Sequence, residues 1–177
     1  IRDKKKFKET YNNYFKFSFV RNPYERLVSC YKNKYYTDKK YIGKSLENFQ
    51  FDNYLFGFLR KNKGFTNFAI RVCLIPDKFA EEHFRSQYYL LYTEDDECLV
   101  NYVGHFENLE HDYDAIRKKY RFEELPHYNQ TNLGEWRDYY NPFTAWLVYR
   151  HYYKDFTKFG YKREYRRLQN YLRRQVK

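Results

Sequence analysis

Apolar side chains in this 177-residue chain fall into short runs separated by polar turns and helical stripes. Tyr14-Phe15-Lys16-Phe17-Ser18-Phe19-Val20 is dense in aromatics and ends on a β-branched residue, which predicts a buried strand. Arg21-Asn22-Pro23 interrupts it. Asn22 can cap a helix, Pro23 suits the first helical position, and Glu25 completes a capping-box-like pattern. Tyr24, Leu27, Val28, Tyr31 and Tyr35 then recur on one helical face. Strand, tight turn and helix together are the start of an α/β unit.

Further along, 36–44 reads as a polar loop, and Ser45 to Arg60 as a helix with Phe49, Leu55, Phe56 and Leu59 inward, ended by Asn62-Lys63-Gly64. Residues 77–88 predict a loop or short helix carrying Glu81, His83 and Gln87. Leu99 to Phe106 predicts a second strand, and Glu107 to Tyr120 a helix burying Leu109, Tyr113, Ile116 and Tyr120. After an irregular stretch at 121–134, Asn141-Pro142 opens a helix to about Asp155, with Trp146, Tyr149, Tyr153 and Phe156 inward and Gly160 as its stop. Residues 162–177 form a basic helix with Tyr165, Leu168 and Leu172 on one side, and 1–10 are frayed or helical. No repeat or linker divides the chain, so 1–177 reads as one domain.

Composition sharpens this picture. With 23 Tyr and 17 Phe, the core must be built largely from rings, each burying a large area. That richness argues against disorder, and no run of about 20 apolar residues offers a membrane span. The formal charge of +11 favours an anionic partner such as nucleic acid, phosphate, sulfate or an acidic glycan. Cys30, Cys73 and Cys98 are widely spaced and form no CxxC or Cys/His cluster, so no metal site is expected. Cys30 and Cys73 read as inert core thiols.

The segment with most chemistry is Phe19-Val20-Arg21-Asn22-Pro23-Tyr24-Glu25-Arg26-Leu27-Val28-Ser29. An Arg leaves the carboxyl end of a strand, where open α/β sheets bind ligands, and a helix N-terminus follows. A phosphate beside this turn would take a guanidinium fork from Arg21 and a hydroxyl from Ser29. On spacing alone, an Arg21 paired with a carboxylate and a Ser29 facing water is the commoner outcome for such a pattern.

This segment resembles the 3′-phosphate-binding motif of sulfotransferases that use 3′-phosphoadenosine 5′-phosphosulfate (PAPS), above all the Golgi-type carbohydrate enzymes and their bacterial relatives. Glu82-His83-Phe84-Arg85-Ser86-Gln87 is similar to the family's His-Trp-x-x-Gln segment, and Tyr102 to Asp112 to its Gly-(Lys/Arg)-(Tyr/Phe)-Glu-x-Leu-x-x-Asp element. Leu125-Pro126-His127-Tyr128-Asn129-Gln130-Thr131 resembles its Pro-x-x-Asn-x-Ser/Thr loop, and Tyr149 to Tyr161 its closing aromatic helix. These elements stand in family order. The resemblance implies a P-loop-NTPase-like α/β fold, a parallel sheet flanked by helices. It implies a sulfuryl transfer from PAPS to a carbohydrate hydroxyl, releasing 3′,5′-adenosine bisphosphate (PAP), with no metal required. By the same carry-over Arg21 and Ser29 bind the 3′-phosphate, and Asn129 and Thr131 sit on a loop that closes over the nucleotide. His83 is a candidate base, and His83, Gln87 and Glu107 are candidate substrate contacts, with packing or bracing as the alternative for each.

The family also uses a 5′-phosphosulfate loop upstream of the Arg motif, and none is recognisable in residues 1–20, so an N-terminally truncated domain is expected. Gly43-Lys44-Ser45 is no substitute. A Walker loop needs Gly five positions earlier, where Asp38 stands. The competing class is a non-catalytic basic domain binding nucleic acid or acidic glycan, although no nucleic-acid signature is present. The expected partner is therefore a carbohydrate acceptor, with no nucleic acid beyond the nucleotide cosubstrate. For compartment the sequence leans to a bacterial cytoplasmic protein, with the Golgi lumen, as part of a type II membrane protein, as the alternative.

Overall fold

A computed structural model describes residues 3–35, 58–59, 64–125 and 134–175. In chain order these form α1 (Lys4–Thr10), β1 (Phe17–Val20), α2 (Pro23–Cys30) running into a π-helical turn (Tyr31–Tyr35), α3 (Gly64–Cys73), α4 (Gln87–Leu91), β2 (Tyr102–His105), a 3-10 turn (Phe106–Asn108) and α5 (Leu109–Tyr120). A second 3-10 turn (Trp136–Tyr139), α6 (Pro142–His151), α7 (Tyr153–Lys158) and α8 (Lys162–Gln175) complete the chain. The expected loop at 36–44, Gly43-Lys44-Ser45, nearly all of the Ser45–Arg60 helix, and Asn129 with Thr131 lie outside the described residues. Two compact units emerge where the sequence drew no boundary: Ile1–Asn22 with Ser86–Thr131, and Pro23–Arg85 with Asn132–Lys177.

In the first unit, β1 and β2 pair in parallel, with Phe17 opposite Tyr102 and Val20 opposite His105. Both strands are shorter than their apolar runs predicted. Before β1, the Lys16 amide donates to the Asn101 side-chain oxygen at 2.9 Å, while its carbonyl still accepts from Asn101 N at 2.7 Å. Phe15, expected within the strand, instead stacks on Tyr120 at 4.0 Å. At the centre of the pair Phe19 lies opposite Gly104. A Cβ on Gly104 would stand 2.4 Å from the Phe19 ring and 3.2 Å from Cβ of Asp112. The glycine is therefore required by close approach, not by backbone angle. Helix α5 then runs to Tyr120 and is closed by Arg121 in the left-handed region at φ 58°.

The second unit is helical, and its core is the ring-built core that the composition demands. Tyr24, Phe68, Phe84, Tyr152 and Phe156 are each at most 2% exposed. Tyr24 meets Tyr140 at 5.0 Å and Phe156 at 4.9 Å. Buried hydroxyls need partners, and here they find carbonyls. Tyr24 donates to the Ala145 carbonyl at 2.8 Å, and Tyr140 donates to the Tyr24 carbonyl at 2.9 Å. Burial pushes both phenols well above their ordinary range, so they stay protonated donors.

Helix α6 starts where Asn141-Pro142 predicted. Thr144 N donates to the Asn141 side chain at 2.9 Å, and Asn141 N donates back to the Thr144 hydroxyl at 3.0 Å. The predicted single helix to Asp155 is in fact two, α6 and α7, joined at Tyr152. Its inward face is also corrected: Trp146 is 46% and Tyr153 51% exposed, while Thr144, Ala145, Val148 and Tyr152 are buried. Within α6 the fully buried positions go to the small and β-branched Thr144, Ala145 and Val148, and beyond it to the rings of Tyr152 and Phe156. On α8, Leu168 and Leu172 are buried as expected.

Candidate functional site

The chain leaves the first unit through Arg21-Asn22, directly after β1. Its main chain there is held by side chains from distant sequence. Arg21 N donates to Gln87 Oε1 at 2.8 Å, and Gln87 Nε2 donates to Arg21 O at 2.8 Å. The Gln87 amide thus pairs with Arg21 as a neighbouring strand residue would. It does so from the first turn of α4, where it is buried, and where Ser86 caps the helix by accepting from Tyr89 N at 3.2 Å. One residue on, Asn22 N donates to Glu107 Oε1 at 2.6 Å. The Arg21 guanidinium lies over the Phe106 ring at 4.7 Å. Of the residues picked from the sequence, Arg21, Gln87 and Glu107 therefore meet around one stretch of backbone. Gln87 and Glu107 spend these contacts on the main chain, which is bracing.

The second unit, taken by itself, holds a helix and a loop with the other picked residues. Ser29 is half-buried on α2, and its hydroxyl accepts from Asn33 Nδ2 at 3.4 Å. Arg26 lies three positions earlier on the same helix. Its Nη1 donates to Arg85 O at 2.7 Å and its Nη2 to Glu82 O at 2.9 Å. Between these anchors the Phe84 carbonyl accepts from the Tyr152 hydroxyl, and Arg85 donates to Ala80 O. The Phe84 ring is buried, so the 80–85 loop is pinned by a ring below and by donors on its carbonyls. On this loop His83 Nδ1 lies 2.8 Å from Glu81 Oε1 and 2.9 Å from Oε2, and His83 N donates to Glu81 Oε2 at 2.8 Å. Glu81, Glu82 and His83 also offer ligand atoms within 4.8 Å of one another, a spacing common among exposed acidic groups without a metal.

Other motif positions turn out to be structural. Asp112 accepts from His105 N at 2.7 Å and lies 3.1 Å from His111 Nδ1, and these bonds hold its carboxyl below the ordinary carboxylate value. The Tyr102 hydroxyl donates to Asp112 O at 3.2 Å. Asp155, Phe156, Phe159 and Tyr161 of the closing motif are all buried in the second unit. Cys73 is a free thiol pushed up to about 12 by burial, which fits the inert reading. Sequence reasoning gave Arg26 and Asp112 no individual role, because the main-chain groups they hold leave no trace in residue type. Glu81 had a signal, an acidic residue two before a His in one turn.

A family model described as "Sulfotransferase family" matches residues 2–162. The chain belongs to the sulfotransferase family. It is 34% identical over 114 residues to carbohydrate sulfotransferase 11 of Rattus norvegicus, an alignment covering 59% of this chain and 32% of the relative. The Mus musculus protein of the same name matches equally. The chain thus spans about a third of the length of these curated relatives. No solved structure gives a significant match. The α/β class stands, with a mixed set of helices and one parallel strand pair among the described residues. No helix among those residues is long and apolar enough to cross a membrane. The lean toward a bacterial cytoplasmic protein finds no support, since these relatives are mammalian.

Proposed function

We propose that this chain carries the donor-binding half of a PAPS-dependent carbohydrate O-sulfotransferase on a P-loop-NTPase-like scaffold, working in the Golgi lumen as part of a longer type II membrane protein. The observation that carries the reading is the braced Arg21-Asn22 backbone. Three side-chain bonds from Gln87 and Glu107 fix the main chain at the carboxyl end of a parallel strand. Such rigidity is what a guanidinium needs in order to present a fork to phosphate. Arg21 and Ser29 hold the 3′-phosphate, and Asn129 and Thr131 close over the nucleotide. Gln87 and Glu107 act as positioning residues for Arg21 rather than as substrate contacts.

PAPS supplies an activated sulfuryl group whose departure leaves PAP. The residues of this chain orient that donor and take a proton. His83 accepts the proton of a sugar hydroxyl as its oxygen attacks sulfur in line and the bond from sulfur to the bridging phosphate oxygen breaks. The +11 charge draws the anionic nucleotide toward the surface. This transfer needs no metal.

PAP at a hundredfold excess over its dissociation constant would stabilise the folded chain by about 2.7 kcal/mol. For a chain of this size that is a rise of roughly 5–11 °C in melting temperature. The Arg21→Ala variant is expected to lose the PAP response, read against its own unliganded melting temperature because the Phe106 contact is lost too. No PAP response in the parent chain, together with tight salt-sensitive RNA binding, would overturn the proposal in favour of a nucleic-acid binder.

A further inference from the structure

We infer that Glu81 is a positioning residue that fixes the tautomer of His83, so that Nε2 is the nitrogen that receives the acceptor proton. This rests on the reading of His83 as the base. An ionised carboxylate can only accept hydrogen bonds. Both Glu81 oxygens lie within hydrogen-bond distance of His83 Nδ1, at 2.8 and 2.9 Å, so Nδ1 must carry a proton. A neutral ring protonated at Nδ1 has its lone pair on Nε2.

The same carboxylate also takes the His83 amide at 2.8 Å, so side chain and backbone of His83 are referred to one group. The residues flanking His83 are held as well. Glu82 O accepts from Arg26, and Phe84 O accepts from Tyr152. The His83 side chain is 38% exposed and that of Glu81 22%, so the ring can reach a substrate while its orienting partner is better shielded. When the sugar hydroxyl attacks, its proton passes to Nε2, the oxygen–sulfur bond forms, and the bridging sulfur–oxygen bond breaks toward PAP. The resulting imidazolium keeps its Nδ1 proton on Glu81, whose negative charge stabilises it.

The test uses the intact enzyme with Glu81→Leu, which removes the acceptor, Glu81→Gln, which keeps an oxygen without charge, and His83→Ala. Nitrogen-15 NMR of the His83 ring is expected to show Nδ1 protonated in the parent, with the Nε2-protonated form rising in Glu81→Leu. In parallel kcat should fall about 10- to 100-fold in Glu81→Leu, with KM for PAPS within twofold and Glu81→Gln intermediate. A parent-like tautomer and kcat in Glu81→Leu, alongside a severe loss in His83→Ala, would overturn the inference and leave the base assignment standing. Full activity in His83→Ala would overturn the base assignment itself. Stoichiometric binding of zinc alone, lost in Glu82→Gln, would overturn the inference by making Nδ1 a ligand rather than a donor.

Discussion

Replacing Gln87 by Leu removes both bonds between its amide and the Arg21 main chain while keeping similar bulk. Each neutral hydrogen bond contributes about 1 kcal/mol net, and a buried polar group left unsatisfied costs about 1–3 kcal/mol. With two bonds lost and a little apolar burial gained, the expected destabilisation is roughly 2–4 kcal/mol. At this chain length that lowers the melting temperature by roughly 4–16 °C. Gln87→Glu is the sharper variant. Its carboxylate can still accept from Arg21 N but presents an anion to Arg21 O, where the amide had donated. Protonation restores a donor, so folding should raise the new carboxyl above the ordinary Glu value of about 4.3. A group raised in this way costs its full penalty above the raised value and loses it as the pH falls from that value to the unfolded one. The gap between Gln87→Glu and the parent should therefore be wide at pH 8 and narrow as the pH approaches 4.5, read by urea unfolding at each pH. A Gln87→Leu stability within 0.5 kcal/mol of the parent, about the spread of neutral surface changes, or a Gln87→Glu gap independent of pH, would refute the reasoning.

Three further outcomes are expected. Gly104→Ala puts a methyl 2.4 Å from the Phe19 ring, so it should cost about 1–3 kcal/mol by overpacking, and Phe19→Leu should relieve part of this in a double-mutant cycle. Asp112 is held below its ordinary value by the His105 amide and His111, so its contribution is full above about pH 4 and is lost as the pH falls through the depressed value. Asp112→Asn should therefore flatten the acid side of the stability profile measured by denaturant titration. Arg26→Lys replaces two nitrogens, one for each of the Arg85 and Glu82 carbonyls, by a single one on a differently shaped stem, and should lose about 1–2 kcal/mol and speed amide exchange in residues 80–85.

The strand–turn–helix around Arg21 was legible because its signals are local: an apolar run, a proline and a stripe at helical spacing. The Asn141 cap was legible for the same reason, its partner being three residues away. The inward face of α6 was not. In a chain with 24% aromatic residues, rings fall on every face of a helix, and periodicity no longer distinguishes the buried one. Steric fit then decides, and Thr144 and Ala145 win over Trp146. The strand starts were misjudged because the Lys16 amide is taken by a side chain 85 residues away, that of Asn101.

The site divides along the same line. Arg21, Gln87 and Glu107 were selected by motif, but only the fold supplies the relation among them, since Gln87 reaches Arg21 across 66 residues and Glu107 reaches Asn22 across 85. Residue type states how many hydrogen bonds a side chain can make and leaves the partner open. Once the partners are known, the motif separates physically. Gln87, Glu107, Asp112 and Arg26 hold main chain, so changing them disturbs stability and ligand response together. The two Gln87 bonds use Arg21 N and O, main-chain atoms that an Arg21→Ala substitution keeps. That separation is what makes Arg21→Ala a test of phosphate binding rather than of folding.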